Sequence, residues 1–408
     1  MTSNGTGLGH LTRSMAIARR LEPGVEPTFF TLSGAAPVVR DQGFPVEYMR
    51  SYDASGAGSH LEWSRRLRAQ LGALLDELRP AVLVFDGAHP YPAAIRAMHE
   101  FSSRGSRLGR RHGGEAPLIS VWSRRPMWQP GRGRPILALS AAFDVVLEPG
   151  ELAAADDAGL TARRRAEAVR LDPITYCDPS ELLGRTEAER ALGLAPGHLN
   201  ALVALGQGRE LDAAVRRCLD ELAARPEVQV AALESGISSR LEVPEGVILL
   251  RDIYPVSRYY RAFDFAVSAA GYNAYHELIR FAVPALFVPM RRELDDQAAR
   301  ARHAERAGVA LACEGPESDR LEGLIEQMLD PARRERMAGR ARGLALGNGA
   351  EEAARLLSRV AAAGRSELGG LPRPTGGRIG MWTTMARAHA SALLRHPLER
   401  RRDRSRSR

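Results

Sequence analysis

The chain contains no lysine, so all 57 of its basic residues are arginines. Because alanine and glycine are also abundant, this indicates a base bias of the genome rather than selection for binding a polyanion. Residues 365–408 hold 11 arginines against 3 acidic residues, which gives this tail a net charge of +8, equal to that of the whole chain. Residues 1–364 are therefore neutral overall, and the net charge does not predict what the folded part binds.

Long apolar runs and metal-ligand motifs are also absent. No run approaches the roughly 20 apolar residues of a membrane-spanning helix, and no signal-peptide pattern opens the chain. The three cysteines, Cys177, Cys218 and Cys313, lie far apart, which favours buried thiols in a reducing compartment. No Asp-x-Asp pair, HExxH motif or Cys/His cluster occurs. We therefore expect a cytoplasmic protein that uses neither a metal ion nor another cofactor.

Short apolar segments alternate with amphipathic ones along most of the chain. Strand candidates form a first series at 27–32, 81–87, 117–122 and 143–150, and a second at 199–208, 228–233, 247–252, 263–271, 284–290 and 308–314. Amphipathic stretches at 59–79, 209–225 and 272–281 lie between them. Strands that alternate with helices predict parallel sheets covered on both faces. The fold class is thus α/β, with two Rossmann-like domains.

Composition also predicts where these domains begin and end. The polar stretch 151–197 separates the two series, so we place an N-terminal domain at 1–172 and a C-terminal domain at 173–364. A stretch rich in Gly and Pro, 364–378, is typical of a flexible linker and begins a basic linker and tail over 365–408. The N-terminal domain lacks an evident first strand, because only Met1–Ser3 precede the first loop. We expect these three residues to be too few, and favour a translation start upstream of Met1 over a damaged sheet.

The opening stretch "NGTGLGH" is a glycine-rich loop that leads into a helix. Gly5, Gly7 and Gly9 permit positive φ and close backbone approach. A helix that begins near His10 offers free N–H groups and a positive dipole end to an anion. An imidazole at the mouth of such a loop is a candidate general base. The alternative is a simple strand-to-helix turn, and Asp86 or His89 would be the next candidates for the base.

A second constellation lies in "FDFAVSAAGYNAYHELIRFAVPALFVPMRRELDDQ". After Gly271, the helix start at Tyr272 and Asn273 is suited to a phosphate. Glu277 follows one and a half turns later. A carboxylate at such a position can accept hydrogen bonds from the ribose hydroxyls, as acidic residues do in dinucleotide-binding folds. The next strand ends in a polar loop whose last residues, 296–297, are suited to sugar hydroxyls.

The segment "ALGQG", which ends the first strand of the second series, forms another short loop before a helix. Gly206, Gln207 and Gly208 fit a diphosphate there.

Taken together, "NGTGLGH", "LGQG" and "SAAGYNAYHEL…PALFVPM…DDQ" resemble glycosyltransferase family 28. Its members include peptidoglycan-precursor N-acetylglucosaminyltransferases and plant diacylglycerol galactosyltransferases. The resemblance covers roughly 3–360, is strongest at 246–312, and is weak across 33–80 and 90–170, where acceptors are expected to bind. It implies the GT-B fold, in which two Rossmann-like domains face each other across a cleft. In this fold the acceptor is expected to bind to the N-terminal domain, and the nucleotide-sugar is expected to bind to the C-terminal domain.

The resemblance also implies a role for each matching residue. His10 matches the histidine of the opening loop, a candidate base for the acceptor hydroxyl. The donor-binding set is Gly206, Gln207, Gly208, Ile253, Ser268, Gly271, Tyr272, Asn273, Glu277, Asp296 and Gln297. Within this set, the resemblance implies that the backbone of Ile253 contacts uracil and that Glu277 binds the ribose. The pair Asp296 and Gln297 is implied to bind the sugar. The chain departs from the family in three ways: "LGQG" lacks a serine, the first strand is absent, and the tail is additional.

The implied activity is inverting transfer of a hexose or N-acetylhexosamine from a UDP-sugar to a hydroxyl acceptor of a lipid-linked or cell-envelope class. A UDP-sugar 2-epimerase and a non-catalytic nucleotide-sugar-binding subunit are the alternatives. The tail is expected to be disordered and solvated. The alternative is contact with the inner face of the plasma membrane, because six tail residues fall at helical spacing: Ile379, Trp382, Met385, Ala386, His389 and Leu393. We expect no specific nucleic-acid binding, since the arginine run lacks interleaved aromatics.

Overall fold

The computed structural model describes residues 1–3, 8–56, 58–112, 118–206, 209–234, 241–315 and 317–375. Four residues of the predicted loops, Gly5, Gly7, Gln207 and Gly208, lie outside the described residues, as does the tail from residue 376 onward. Across the helices that are described, none combines the length and apolar character needed to cross a membrane.

The first half of the chain builds a parallel sheet. Its strands are β1 (Phe29–Thr31), β2 (Val46–Tyr48), β3 (Val82–Asp86), β4 (Ile119–Ser123), β5 (Val145–Glu148) and β6 (Val169–Arg170). Its helices are α1 (Gly9–Ala18), α2 (Ala36–Asp41), α3 (Tyr52–Ser55), α4 (His60–Leu78), α5 (Pro92–His112) and α6 (Arg134–Leu137). The pairs β1–β2, β3–β4, β4–β5 and β5–β6 are all parallel.

Met1–Ser3 form the first strand of the N-terminal sheet, which the sequence does not predict. Thr2 forms parallel bridges to Thr31 on one side and to Asp86 on the other. Its N–H donates to the Phe30 carbonyl at 2.9 Å. The first half therefore has the order β2-β1-(1–3)-β3-β4-β5-β6. The expectation that these three residues cannot serve as the central strand is wrong, because a strand paired on both sides is held by its neighbours even when it is short.

The second half repeats this plan. Its strands are β7 (Leu199–Ala204), β8 (Val228–Leu233), β9 (Ile248–Leu250), β10 (Phe265–Ser268), β11 (Ala285–Phe287) and β12 (Ala310–Ala312). Its helices are α7 (Arg185–Leu192), α8 (Arg209–Ala223), α9 (Tyr272–Arg280), α10 (Gln297–Ala307), α11 (Leu321–Leu329), α12 (Pro331–Arg342) and α13 (Gly349–Ala363). The parallel order β9-β8-β7-β10-β11-β12 is that of a doubly wound Rossmann sheet.

In both halves the strand order reverses next to the first strand. Ligands of open α/β sheets bind at this reversal, outside the carboxyl ends of the strands. In the first half it lies between Met1–Ser3 and β3, where the opening loop begins. In the second half it lies between β7 and β10, which "LGQG" and "SAAG" follow. The prediction of two Rossmann-like units is confirmed.

The end of the described chain returns to the first half. The N–H of Glu22, just beyond α1, donates to Ser358 Oγ of α13 at 3.0 Å. The guanidinium of Arg365 pairs with Asp144 at 2.8 Å. Residues 364–375 thus lie against the first half, although their composition is typical of a flexible linker. The predicted limits of the domains, at 172 and 364, stay predictions.

Replacing Thr2 by proline should destabilise the fold. Proline has no N–H to donate to the Phe30 carbonyl, and a buried acceptor left without a donor costs about 1–3 kcal/mol. Thr2→Ser is the matched control, because it keeps both the amide and the hydroxyl that contacts Thr31 Oγ1 at 2.6 Å. Chemical denaturation would measure the difference. Equal stability of the two variants would contradict the central placement of Thr2.

Candidate active site

A histidine and an aspartate meet at the reversal point of the first sheet. His10 is the second residue of α1, and Gly9, predicted to lie in the loop, is the first. Asp86 is the last residue of β3. His10 Nδ1 lies 2.6 Å from Asp86 Oδ1. Arg13 Nη2 lies 2.9 Å from the same nitrogen. In the tautomer that donates to the Asp86 carboxylate, the proton is on Nδ1 and Nε2 is the acceptor.

The Asp86 carboxylate is buried and held by two further side chains. Arg13, one turn after His10, donates from Nε to Oδ2 at 3.2 Å and from Nη2 to Oδ1 at 2.5 Å. Ser123, at the end of β4, donates its hydroxyl to Oδ2 at 2.8 Å. Burial alone would raise the pKa of Asp86, but the charge of Arg13 and the hydrogen bond with His10 hold it well below its usual range. Asp86 therefore remains a carboxylate.

The imidazole itself is neutral near neutral pH. Burial lowers the pKa of His10 below its ordinary value of 6.5, and the contact with Asp86 offsets this only in part. The positive charges of Arg13 and Arg125 lower the pKa further. The His10 side chain is 15% exposed. A neutral, partly accessible imidazole oriented by a carboxylate is the arrangement that general-base catalysis requires.

The N-terminus of α9, from the second half, faces this pair. Gly271 is the N-cap of α9, and the side-chain amide of Asn273 donates to the Gly9 carbonyl at 3.3 Å. The Arg13 guanidinium lies 5.1 Å from the centre of the Tyr272 ring. The structure thus brings together the predicted anion-binding ends of two helices whose sequences lie more than 250 residues apart. Both helix ends carry partial positive charge toward the same region.

Other predicted donor-site residues lie along the same edge of the second sheet. Gly206 follows β7 with φ +84°, a conformation that glycine adopts at little cost. Ser268, the last residue of β10, donates its hydroxyl to the Ala204 carbonyl at 3.2 Å. Ile253 packs against the main core, and the hydroxyl of its neighbour Tyr254 lies 3.2 Å from Thr12 Oγ1 in α1. The predicted uracil position therefore adjoins α1.

Glu277 is buried on α9 beside the segment that joins the two halves. Its Oε1 accepts a hydrogen bond from the Tyr176 N–H at 3.3 Å. Burial raises its pKa to about 7, against the opposing effect of the hydrogen bond from the Tyr176 N–H. The carboxyl group therefore titrates near neutrality. Its predicted role on a ribose stays a prediction.

Asp296 and Gln297 lie where the sequence predicts, at the start of α10, but their side chains are already engaged. Asp296 is the N-cap, and its Oδ1 accepts from the Ala299 N–H at 3.0 Å. Gln297 is buried, and its Oε1 accepts from the Met290 N–H at 3.0 Å. Its amide nitrogen donates to Asp295 at 3.3 Å. A role of this pair in binding a sugar stays a prediction.

A buried network of charges beside these loops escaped the sequence interpretation. Arg300 donates to Glu151 at 2.7 Å and to Asp295 at 2.7 Å. Arg125, just after β4, donates to the same Asp295 oxygen at 3.2 Å. His276 lies 3.1 Å from the other oxygen of Glu151. The signal that could have revealed this network is position, because Arg125, Glu151 and Asp295 all follow the carboxyl ends of strands.

Comparison with known proteins supports the assignment of the fold. Residues 240–357 match the glycosyltransferase family 28 C-terminal domain. The chain is 28% identical over 393 residues to the UDP-N-acetylglucosamine–N-acetylmuramyl-(pentapeptide) pyrophosphoryl-undecaprenol N-acetylglucosamine transferase of Xanthomonas axonopodis pv. citri (strain 306), covering 90% of this chain and 83% of that protein.

Solved structures share the architecture. The Acinetobacter baumannii MurG structure has a TM-score of 0.54 at 18% identity, with 88% of this chain and 98% of that chain covered. The structure named "putative UDP-N-acetylglucosamine 2-epimerase from Listeria monocytogenes" has a TM-score of 0.58 at 14% identity, with 92% of this chain and 98% of that chain covered. The predicted GT-B fold is thereby confirmed. Because a transferase and an epimerase share it, the fold alone does not choose between them.

Replacing Glu277 by glutamine should stabilise the protein at alkaline pH. Folding raises the pKa of the Glu277 carboxyl from 4.5 to about 7. The contribution of this group to the free energy of unfolding is therefore fully present below pH 4.5 and is lost as the pH rises through 7. The neutral amide avoids that loss, so we expect a gain of about 2–3 kcal/mol at pH 8.5 and little change at pH 5. Urea denaturation at both pH values would measure it. The exposed Glu187, replaced by glutamine, is the control, and a pH-independent effect of Glu277→Gln would contradict the interpretation.

Proposed function

We propose that this chain, whose residues 240–357 match the glycosyltransferase family 28 C-terminal domain, is a glycosyltransferase that moves a hexose or N-acetylhexosamine from a UDP-sugar to an acceptor hydroxyl. The observation that carries the proposal is the His10–Asp86 pair, placed opposite the N-terminus of α9. The pair belongs to the first half, and the helix end belongs to the second. Their apposition supports an acceptor on the first half and a donor on the second.

In the proposed reaction, the acceptor hydroxyl lies within hydrogen-bond reach of His10 Nε2. As its oxygen attacks the anomeric carbon, the hydroxyl proton passes to Nε2, and the bond from the anomeric carbon to the UDP oxygen breaks. One displacement inverts the configuration at that carbon. The resulting imidazolium is stabilised by Asp86, which is already ionised and 2.6 Å away.

The departing UDP gains negative charge as the bond breaks. We propose that the free N–H groups at the start of α9, behind Gly271, stabilise this charge. The N-terminus of α1 points to the same region, as shown by the contact between Asn273 and Gly9. This arrangement supplies positive charge from the backbone, and the proposed chemistry calls for no cofactor beyond the UDP-sugar co-substrate.

The names of the sequence relatives support a class of donor and acceptor. The Xanthomonas relatives, and one from Burkholderia multivorans, are named as transferases of N-acetylglucosamine from its UDP derivative to a pyrophosphoryl-undecaprenol acceptor. We therefore propose a lipid-linked precursor of the cell envelope as the acceptor. A cytoplasmic enzyme at the inner face of the plasma membrane would meet such an acceptor. The epimerase and the non-catalytic subunit are not favoured, because these sequence relatives are transferases.

The arginine-rich tail supports contact with that membrane. Full-length protein should co-sediment with vesicles of phosphatidylglycerol and much less with vesicles of phosphatidylcholine. The attraction should weaken at high salt, since each arginine near an anionic surface contributes about 1 kcal/mol that ions screen. A variant with Arg378, Arg387 and Arg395 replaced by glutamine should bind less. Equal binding to both kinds of vesicle would favour a solvated tail.

Replacing His10 by alanine should lower the transfer rate about 10²- to 10⁴-fold, the usual contribution of a general base. The affinity for UDP, measured by calorimetry, should hardly change, because the donor site lies on the second half. In the wild type the rate should decline as the pH falls below 6.5, since burial keeps the pKa of His10 under that value.

The control is His198→Ala, which removes an exposed histidine at the amino end of β7. It should leave the rate and its pH dependence unchanged. If His10→Ala melts at a lower temperature yet keeps its rate per folded molecule, His10 only supports its helix. The base would then have to be sought at Asp86 or His89.

A further inference from the structure

Two loops at the carboxyl ends of the sheets are paired through their backbones. We call residues 125–129, after β4, the clasp segment, and residues 294–297, before α10, the sugar loop. Trp128 and Asp295 form an antiparallel bridge between them. The flanking bonds run from Gln129 N–H to the Leu294 carbonyl at 2.6 Å and from Asp296 N–H to the Met127 carbonyl at 2.8 Å. The shape of the sugar loop thus depends on the first half.

The clasp segment is itself firmly held within the first half. Trp128 is buried, and its ring lies 6.5 Å from that of Trp122 in β4. Met127 is fully buried with φ +60°, and its N–H donates to Asp157 Oδ2 at 3.2 Å. A non-glycine residue keeps such a conformation only where its surroundings impose it. The clasp segment is therefore a rigid support and not a loose loop.

Arg125 links this support to the side chains of the sugar loop. Its Nη1 donates to Asp295 Oδ1 at 3.2 Å, and the other oxygen of Asp295 accepts from the Gln297 amide at 3.3 Å. Arg300 fixes the same carboxylate from α10 at 2.7 Å. The orientation of the Gln297 amide thus depends on a carboxylate held from both halves of the chain.

We propose that Arg125 is a positioning residue that keeps the sugar loop in its binding shape, so that recognition of the sugar depends on the first half. The inference rests on the proposed function, since it takes 296–297 as the sugar-facing residues. The UDP part would bind along β7, β10 and α9, whereas the guanidinium of Arg125 donates to Asp295 in the sugar loop. Loss of Arg125 should therefore lower the affinity for the UDP-sugar and leave the affinity for UDP nearly unchanged.

The test compares UDP with UDP-N-acetylglucosamine by calorimetry on the full chain. For Arg125→Gln, the affinity for UDP should stay within about twofold, while that for the UDP-sugar should fall about 5- to 150-fold, the usual range of coupling between sites. Arg125→Lys should recover part of the loss, because it restores the charge without the planar fork. Arg132→Gln, which removes an exposed arginine of the neighbouring turn, should behave as the wild type.

Each other outcome has a definite meaning. If Arg125→Gln binds both ligands as the wild type does, or loses both equally with no recovery in Arg125→Lys, the positioning role is refuted. Unchanged binding of UDP would itself show that the variant is folded. If the wild type binds neither ligand, the proposed function fails, and this inference fails with it.

Discussion

The buried carboxylate of Asp86 is the group on which the arrangement of the first half depends. It ends β3, its backbone pairs with Thr2, and its side chain holds both His10 and Arg13 of α1. A buried charge is tolerated only when it is paired and hydrogen-bonded. The requirement to satisfy Asp86 therefore fixes the first turn of α1 against the sheet. The same contacts orient the imidazole, so one interaction serves both the fold and the proposed chemistry.

The two halves are joined at the same edges where ligands of this fold bind. Asn273 reaches Gly9, Tyr254 reaches Thr12, and Arg125 reaches across to the loop before α10. Each of these contacts links a loop or the start of a helix in one half with a loop or helix in the other half. A transfer reaction needs donor and acceptor in the same dry space, and each half carries only one of the two predicted sites. Contacts between the halves therefore belong to the proposed site as well as to the packing.

The alternation of apolar and amphipathic segments was sufficient to predict the fold, because each of the ten strand segments overlaps an observed strand. It could not find β2 or β6, since these short strands are only partly buried and leave no apolar run. The sequence does not predict the strand at Met1–Ser3, because three residues are too few for a recognisable apolar segment. Glycine loops and strand ends predicted the location of the site. They did not reveal that Asp296 is engaged as a helix cap, although an Asp just before a helix is a local signal for such a cap.

The absence of lysine acquires a chemical meaning in the site. Its cations, Arg13, Arg125 and Arg300, are all guanidinium groups, which bind anions through fixed N–H donors and are not used as general bases. Asp86 is held too acidic by Arg13 and His10 to keep a proton near neutral pH. Glu277 titrates near 7 but contacts Tyr176 in the joining segment. In the His10–Asp86–Arg13 cluster, the imidazole is therefore the group able to take a proton from an acceptor hydroxyl, and the fixed charges around it set how strongly it does so.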